Sequence, residues 1–364
     1  MGITSTPKNV LICPLDWGLG HAARVIPIIK RIQNKGHNVF IACSKHQQHF
    51  FKNELSNYTW IPCACPAIKY SENKLSIFHL LKLIPTILIG IKKDKNKINH
   101  WIKKYNIQLI ISDNRYGCYS PKAYSVIITH QIKINLPSKV KWAENLLHKQ
   151  IKRWIYNFNR CWIPDINEIP NFAGDLSMQF SLNGKSAFIG LLSRFDDKAF
   201  AELSVEKQYE VIAIVSGPEP QRSIFANILL QQLKELHKPC ILVLGDFSKP
   251  FSTWHEENVL VYSYMNTKQL FQAIQSSKYI VARSGYSTIM DLISLKRTAI
   301  LVPTPGQTEQ EYLASYYKSR RMFVIAEQNN FKLSESLAEL SVYTWMYLYK
   351  VNDHIEIELE RVLN

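Results

Sequence analysis

Tyr279-Ile280-Val281-Ala282-Arg283-Ser284-Gly285-Tyr286-Ser287-Thr288-Ile289-Met290-Asp291 is the stretch on which the fold turns. Tyr279 to Ala282 reads as a short buried strand. The run breaks at Ser284-Gly285 and resumes with Ile289, Leu292 and Ile293 at helical spacing. A second apolar run, Ala299 to Val302, ends at Pro303 and Pro305, and a polar loop carrying Glu309 and Gln310 follows. A strand, a glycine turn and a helix make a cradle for an anion. The glycine lets backbone N–H groups come close, and the helix N-terminus adds partial positive charge. Asp291 lies near the start of that helix, where it can accept from sugar hydroxyls. The unit reads as a holder for a nucleotide's phosphates and ribose that uses no metal ion.

The chain around it has 364 residues, which suggests two domains. Hydrophobic residues make up 46% and charged residues 20%, enough apolar material for a sizeable core. The net charge of +15 points to a negatively charged partner: nucleic acid, an anionic membrane face or a phosphorylated substrate. No nucleic-acid recognition motif accompanies the charge, so nucleic acid is not expected as a partner. The seven cysteines form no Cys-x-x-Cys pair, and their odd number argues against a disulfide framework. They read as small buried residues of a reducing compartment, and a cytoplasmic location is expected. Met1 to Asn9 is polar, and Val10 to Leu15 is too short for a signal-peptide core. No apolar run approaches the length needed to span a bilayer.

Val10 to Leu15 reads as a buried parallel strand, followed by Asp16-Trp17-Gly18-Leu19-Gly20-His21 and a helix carrying Val25, Ile28, Ile29 and Ile32. His37 to Cys43 completes a βαβ unit that opens a doubly wound sheet. Gly18 and Gly20 permit close backbone approach at the carboxyl edge of that sheet. His21 sits in the first helical turn beside the crevice. Gln108 to Ser112 is a further strand that delivers Asp113-Asn114-Arg115-Tyr116, and Tyr124 to Thr129 delivers His130-Gln131. Leu75 to Lys104 is apolar, then lysine-rich, and Lys139 to Arg160 reads as one basic amphipathic helix. Each is either a core helix with a solvated face or a surface that meets anionic lipid. A second αβ series begins after Gly190, with strands at Val211–Val215, Cys240–Leu244, Val259–Tyr262, Tyr279–Ala282, Ala299–Val302 and Met322–Ile325. The expected organisation is an N-terminal Rossmann-like domain over 1–190, a C-terminal one over 191–340, and a helical segment, 341–364, packing back on the first.

These separated motifs resemble those of the GT-B glycosyltransferases, and within them the MurG-type (glycosyltransferase family 28) UDP-sugar transferases. The N-terminal likeness is Asp16 to His21, a glycine loop ending in histidine. In the second half, Ser216-Gly217-Pro218-Glu219-Pro220-Gln221-Arg222 matches the first phosphate-side loop. Arg283 to Asp291 matches an Arg-Ser-Gly motif followed by an acid, and Val302-Pro303 with Glu309-Gln310 matches the loop that meets the donor sugar. Thr129-His130-Gln131 replaces the His-Glu-Gln-Asn signature of MurG-type enzymes, and Asp291 replaces their usual Glu. The acceptor is therefore expected to differ.

The resemblance implies an α/β GT-B architecture with two Rossmann-like domains facing a cleft. It implies a UDP-sugar, with N-acetylhexosamine as the sugar, as substrate and no cofactor. Donor binding falls on Gly217, Arg222, Arg283, Ser284, Gly285, Tyr286, Ser287, Thr288, Asp291, Glu309 and Gln310. Acceptor binding falls on Gly18, Gly20, Asn114, Arg115, His130 and Gln131. A base must remove the acceptor's proton. His21 is the first candidate because imidazole titrates near neutrality, with Asp16 and Asp113 as alternatives. No Asp-x-Asp metal signature occurs, so the metal set is expected to be empty, and the expected outcome is inversion. The expected partner beyond the donor is a lipid-linked or envelope glycan acceptor on the inner face of the plasma membrane. A nucleotide-sugar hydrolase is the competing enzyme reading, with His21 activating water.

Overall fold

The computed structural model describes residues 6–64, 77–134, 138–178, 182, 184–196, 200, 206–248, 250–343 and 354–364, with backbone alone at 77–84 and 138–140. Residues 65–76, which hold Cys65 and the first two residues of the expected Leu75–Lys104 segment, lie outside the described residues.

The first half forms a seven-stranded, wholly parallel sheet, with spatial order β3-β2-β1-β4-β5-β6-β7. Its strands are β1 (Asn9–Pro14), β2 (Asn38–Cys43), β3 (Thr59–Pro62), β4 (Leu109–Asp113), β5 (Tyr124–Ile128), β6 (Arg160–Ile163) and β7 (Ser186–Phe188). The apolar run of β1 is buried on both faces, as a parallel strand under helices requires. Val10 and Ile12 face one core cluster, and Leu11 and Cys13 face the other. Helix α1 (Leu19–Asn34) covers the first cluster through Val25, Ile28, Ile29 and Ile32. The remaining helices of this half are α2 (Lys45–Glu54), α3 (Ile77–Tyr105), α4 (Glu144–Tyr156) and α5 (Asp175–Met178).

The second half repeats the plan with spatial order β10-β11-β9-β8-β12-β13-β14. Its strands are β8 (Tyr209–Ile214), β9 (Cys240–Val243), β10 (Thr253–Glu256), β11 (Val259–Tyr262), β12 (Ser277–Ala282), β13 (Ile300–Leu301) and β14 (Val324–Ile325). Among the described strands of this half, only the β10–β11 pair is antiparallel. The helices are α6 (Gln221–Lys234), α7 (Thr267–Gln275), α8 (Tyr286–Ser294), α9 (Thr308–Lys318) and α10 (Leu333–Leu340). The last helix, α11 (Ile355–Leu363), returns to the first half. Ile355, Leu359, Val362 and Leu363 sit in the same cluster as Val10, Ile128 and Trp162.

Both strand orders reverse direction at one place, between β1 and β4 and between β8 and β12. Ligands of doubly wound sheets bind at such switch points, outside the carboxyl ends of the strands. The motifs at Asp16–His21, Asp113, Gly217 and Ser284–Thr288 all follow these four strands.

Three elements depart from the expected pattern. The basic helix does not run to Arg160. A 3-10 turn (Ser138–Ala143) leads into α4, and Arg160 opens β6. Cys161, Trp162 and Ile163 are buried in the sheet, so strand pairing claims residues whose local pattern also suits a helix. Strands β7 and β10 were not anticipated. Both are short, and neither has a fully buried face.

Candidate active site

The N-terminus of α1 opens on the cleft. Gly18, its N-cap, has φ of +113°, and a Cβ added there would meet nothing. His21 in the first turn keeps 20% of its side chain exposed, and its Nδ1 lies 3.1 Å from Asp113 Oδ2. Asp113 ends β4 and is fully buried. Arg24, one turn beyond His21 on the same helix face, donates from Nε to Asp113 Oδ2 at 3.2 Å and from Nη2 to Oδ1. Burial opposes a charge on Asp113, but the Arg24 guanidinium and His21 outweigh it and hold the carboxyl below its ordinary range. Asp113, expected as an alternative base, therefore lies buried beneath His21 as its partner. Asp16 turns elsewhere, its Oδ1 accepting from Ser44 Oγ at 2.9 Å at the start of α2.

On the opposite wall, Gly285 is the N-cap of α8, with no side chain bonded to the helix's first amides. Thr288 is half-buried in the first turn of α8, with its Oγ1 4.0 Å from a Cβ added at Gly285. Gly217, after β8, has φ of +107° and open space where a Cβ would stand. Such a position favours glycine, and its backbone can approach a ligand closely. Ser284 is buried, and its Oγ donates to Gln310 O at 2.9 Å. The Gln310 side chain in turn accepts from Thr304 N at 2.8 Å, so Gln310 shapes the loop between β13 and α9. Asp291 accepts from Ser193 Oγ at 2.7 Å and Arg194 Nε at 3.1 Å, both in the segment joining the two halves. Arg222 is held by Glu219 at 2.6 and 2.9 Å and by Gly245 O at 3.1 Å.

Two expected ligand contacts are core residues. Arg283 is 1% exposed and points behind the loop. Nη1 donates to Val302 O, Nη2 donates to Gln221 O and Gln328 Oε1, and the guanidinium covers Phe225 at 4.0 Å. Burial pushes its pKa down to about 9. Arg115 pairs with Asp94 of α3, at 3.0 Å from Nε, and donates to Ala42 O at 2.9 Å. Both arginines donate to interior backbone oxygens. Asn114 beside Arg115 is different. It has φ of +54°, and its buried Oδ1 has no hydrogen-bond partner among the described residues.

The two walls meet. Ser287 Oγ donates to Gly20 O at 3.0 Å. The Tyr286 ring stacks on His130 at 3.8 Å and 4°, and its hydroxyl donates to Pro164 O. His130 Nε2 lies 2.8 Å from Glu309 Oε1, and Gln131 Nε2 donates to Glu309 Oε2. Thus Gln131 and His130, expected at an acceptor, contact the carboxylate expected at the donor sugar. Burial lowers the His130 pKa below 6.5, with Arg24 acting the same way and Glu309 opposing. The sequence reading missed Arg24. The available signal was an arginine three residues after His21 in an otherwise apolar helix face.

Residues 228–342 match the family model described as the glycosyltransferase family 28 C-terminal domain. An uncharacterized glycosyltransferase of Methanosarcina acetivorans is 21% identical over 319 residues, covering 83% of this chain and 81% of its own. The UDP-N-acetylglucosamine--N-acetylmuramyl-(pentapeptide) pyrophosphoryl-undecaprenol N-acetylglucosamine transferase of Campylobacter jejuni is 23% identical over 271 residues, 71% of this chain and 67% of its own. Among solved structures, the glycotransferase of kitacinnamycin superposes with a TM-score of 0.64 at 11% identity, covering 93% of this chain and 92% of its own.

Proposed function

We propose that this chain, a GT-B glycosyltransferase that resembles the MurG-type transferases of family 28, moves an N-acetylhexosamine from a UDP-sugar to a lipid-linked or envelope glycan acceptor, with inversion. The observation that carries the reading is His21, set against buried Asp113 in a cleft bounded by the N-termini of α1 and α8. With Nδ1–H donated to Asp113, the Nε2 lone pair is the one available to an acceptor hydroxyl. As the anomeric carbon loses its diphosphate, the acceptor oxygen bonds to it from the opposite face and its proton passes to His21. Charge grows on the leaving diphosphate. The first amides of α8, beside the open Gly217 turn, are preorganised donors for it and need no metal. Asp291 is the proposed ribose ligand and Glu309 the proposed sugar ligand, with Gln310 holding their loop.

The proposed donor is supported by the name of the Campylobacter relative, which specifies UDP-N-acetylglucosamine and a pyrophosphoryl-undecaprenol acceptor for that protein. A membrane-borne acceptor also suits the surface. Trp142 is 79% exposed and Leu146 69%, next to exposed Lys141, Lys149 and Arg153. Leu88 and Ile89 of α3 are exposed ahead of Lys92 and Lys93. Apolar side chains ringed by lysines match the requirements of an anionic lipid interface. The proposed location is therefore the cytoplasmic face of the plasma membrane.

A panel of nucleotide sugars, read by thermal shift and then by transfer to lipid-linked acceptors, tests the donor. His21→Ala is expected to lower turnover by roughly 10²–10⁴ with UDP affinity retained. Near-normal turnover removes His21 as the base. Release of free sugar from the donor alone, at the rate expected of transfer, replaces the transferase by a hydrolase.

A further inference from the structure

Arg24 is 2% exposed and touches Asp113, His21 and His130. It grips both oxygens of Asp113, lies 3.1 Å from His21 Nδ1 through Nη2, and lies 2.9 Å from His130 Nδ1 through Nη1. An arginine only donates, so His130 Nδ1 must accept, whereas at His21 the Nδ1–H goes to Asp113 Oδ2 and the Arg24 Nη2 hydrogen goes to Asp113 Oδ1. The ring's proton then sits on Nε2, which donates to Glu309 of the opposite domain. Stacking on Tyr286 holds the ring plane. One unbroken path thus joins the proposed base to the proposed sugar ligand.

The groups around His21 are Asp113 from β4, Arg24 from α1, His130 after β5 and Glu309 from α9. Arg24 fixes both oxygens of the Asp113 carboxylate, so that Oδ2 stays 3.1 Å from His21 Nδ1.

We propose that Arg24 is a positioning residue that keeps the His21–Asp113 pair ready to accept a proton and, by setting the tautomer of His130, aims the Glu309 carboxylate across the cleft. The inference rests on the reading of His21 as base and Glu309 as sugar ligand. Arg24 thereby links base and donor wall wherever the two domains meet.

Arg24→Lys keeps a cation at Asp113, but a point charge cannot also serve His130. The variant is expected to lose about 100-fold in kcat with UDP affinity nearly unchanged, as for a small misplacement of reacting groups. Arg24→Met is expected to lose at least as much in kcat, because Asp113 and His130 Nδ1 both lose their donor. If Arg24→Met fails to fold, Arg24→Lys carries the test through a double-mutant cycle with Glu309→Gln. Coupled losses are expected there. Nitrogen NMR of the imidazoles provides a readout independent of turnover: His130 is expected as the Nε2–H tautomer in the native chain and as a mixture in Arg24→Lys. Losses that simply multiply in the cycle, or a His130 tautomer unmoved by Arg24→Lys, overturn the proposal. A native chain that transfers no sugar from any donor sinks the transferase reading instead, and the NMR result still decides the Arg24–His130 link.

Discussion

The carboxylate of Asp291 meets two demands. Ser193 and Arg194 each bond one of its oxygens, which anchors the joining segment to α8. Its position in the motif also makes it the proposed ribose ligand, through the lone pairs left over. Burial raises its pKa, and Arg194 and Ser193 offset that rise only in part. Asp291→Asn is expected to weaken UDP binding by about 10-fold or more, the loss of a hydrogen bond to a charged group. Calorimetry showing unchanged affinity would assign Asp291 to the linker alone. Arg283 and Arg115 show the limit of reading single residues. Each lies in a stretch that looks ligand-facing, yet each turns inward because several interior carbonyls, or Asp94, need a donor.

At the scale of elements, α4 is amphipathic in sequence but only part of its apolar face packs. Ile151 and Ile155 are buried, whereas Leu146 and the preceding Trp142 stand in solvent. Tyr116 packs on Trp154 of α4, and Gly117 abuts Ile91 of α3, so the two helices flank one short segment after β4. Trp142→Ser combined with Leu146→Ser is expected to reduce co-sedimentation with anionic vesicles at low salt, with turnover on a soluble acceptor unchanged. Equal sedimentation of variant and native chain would reject the lipid interface. The strands were legible where their residues are apolar on both faces, as in Val10–Leu15 and Gln108–Ser112. They were illegible where pairing overrode local pattern, as at Arg160–Ile163.

At the scale of the molecule, the two halves are tied by more than the joining segment. Helix α11 lays four apolar side chains into the first domain's core, and its Glu358 accepts from Arg160 at 2.7 and 2.8 Å and from Trp162 Nε1 at 2.9 Å. Glu358→Ala leaves Arg160 with only its bond to Gly184 O among the described residues and leaves the indole N–H unbonded. It is expected to destabilise the first domain by about 3 kcal/mol, the scale for breaking a buried ion pair. A urea midpoint equal to that of the native chain would show that the helix is held by its apolar contacts alone.

The sequence by itself determined the two αβ series, the glycine turns at their switch points and the histidine that opens α1. Each of these follows from local patterning: apolar runs, helical spacing and positions where only glycine fits. Only the tertiary structure decided which side chains meet. Arg24 and His130 are 106 residues apart, and His130 and Glu309 are 179 apart. No local rule links such positions. Their pairing depends on where each strand ends, how the two sheets face one another and which buried polar atoms remain to be satisfied.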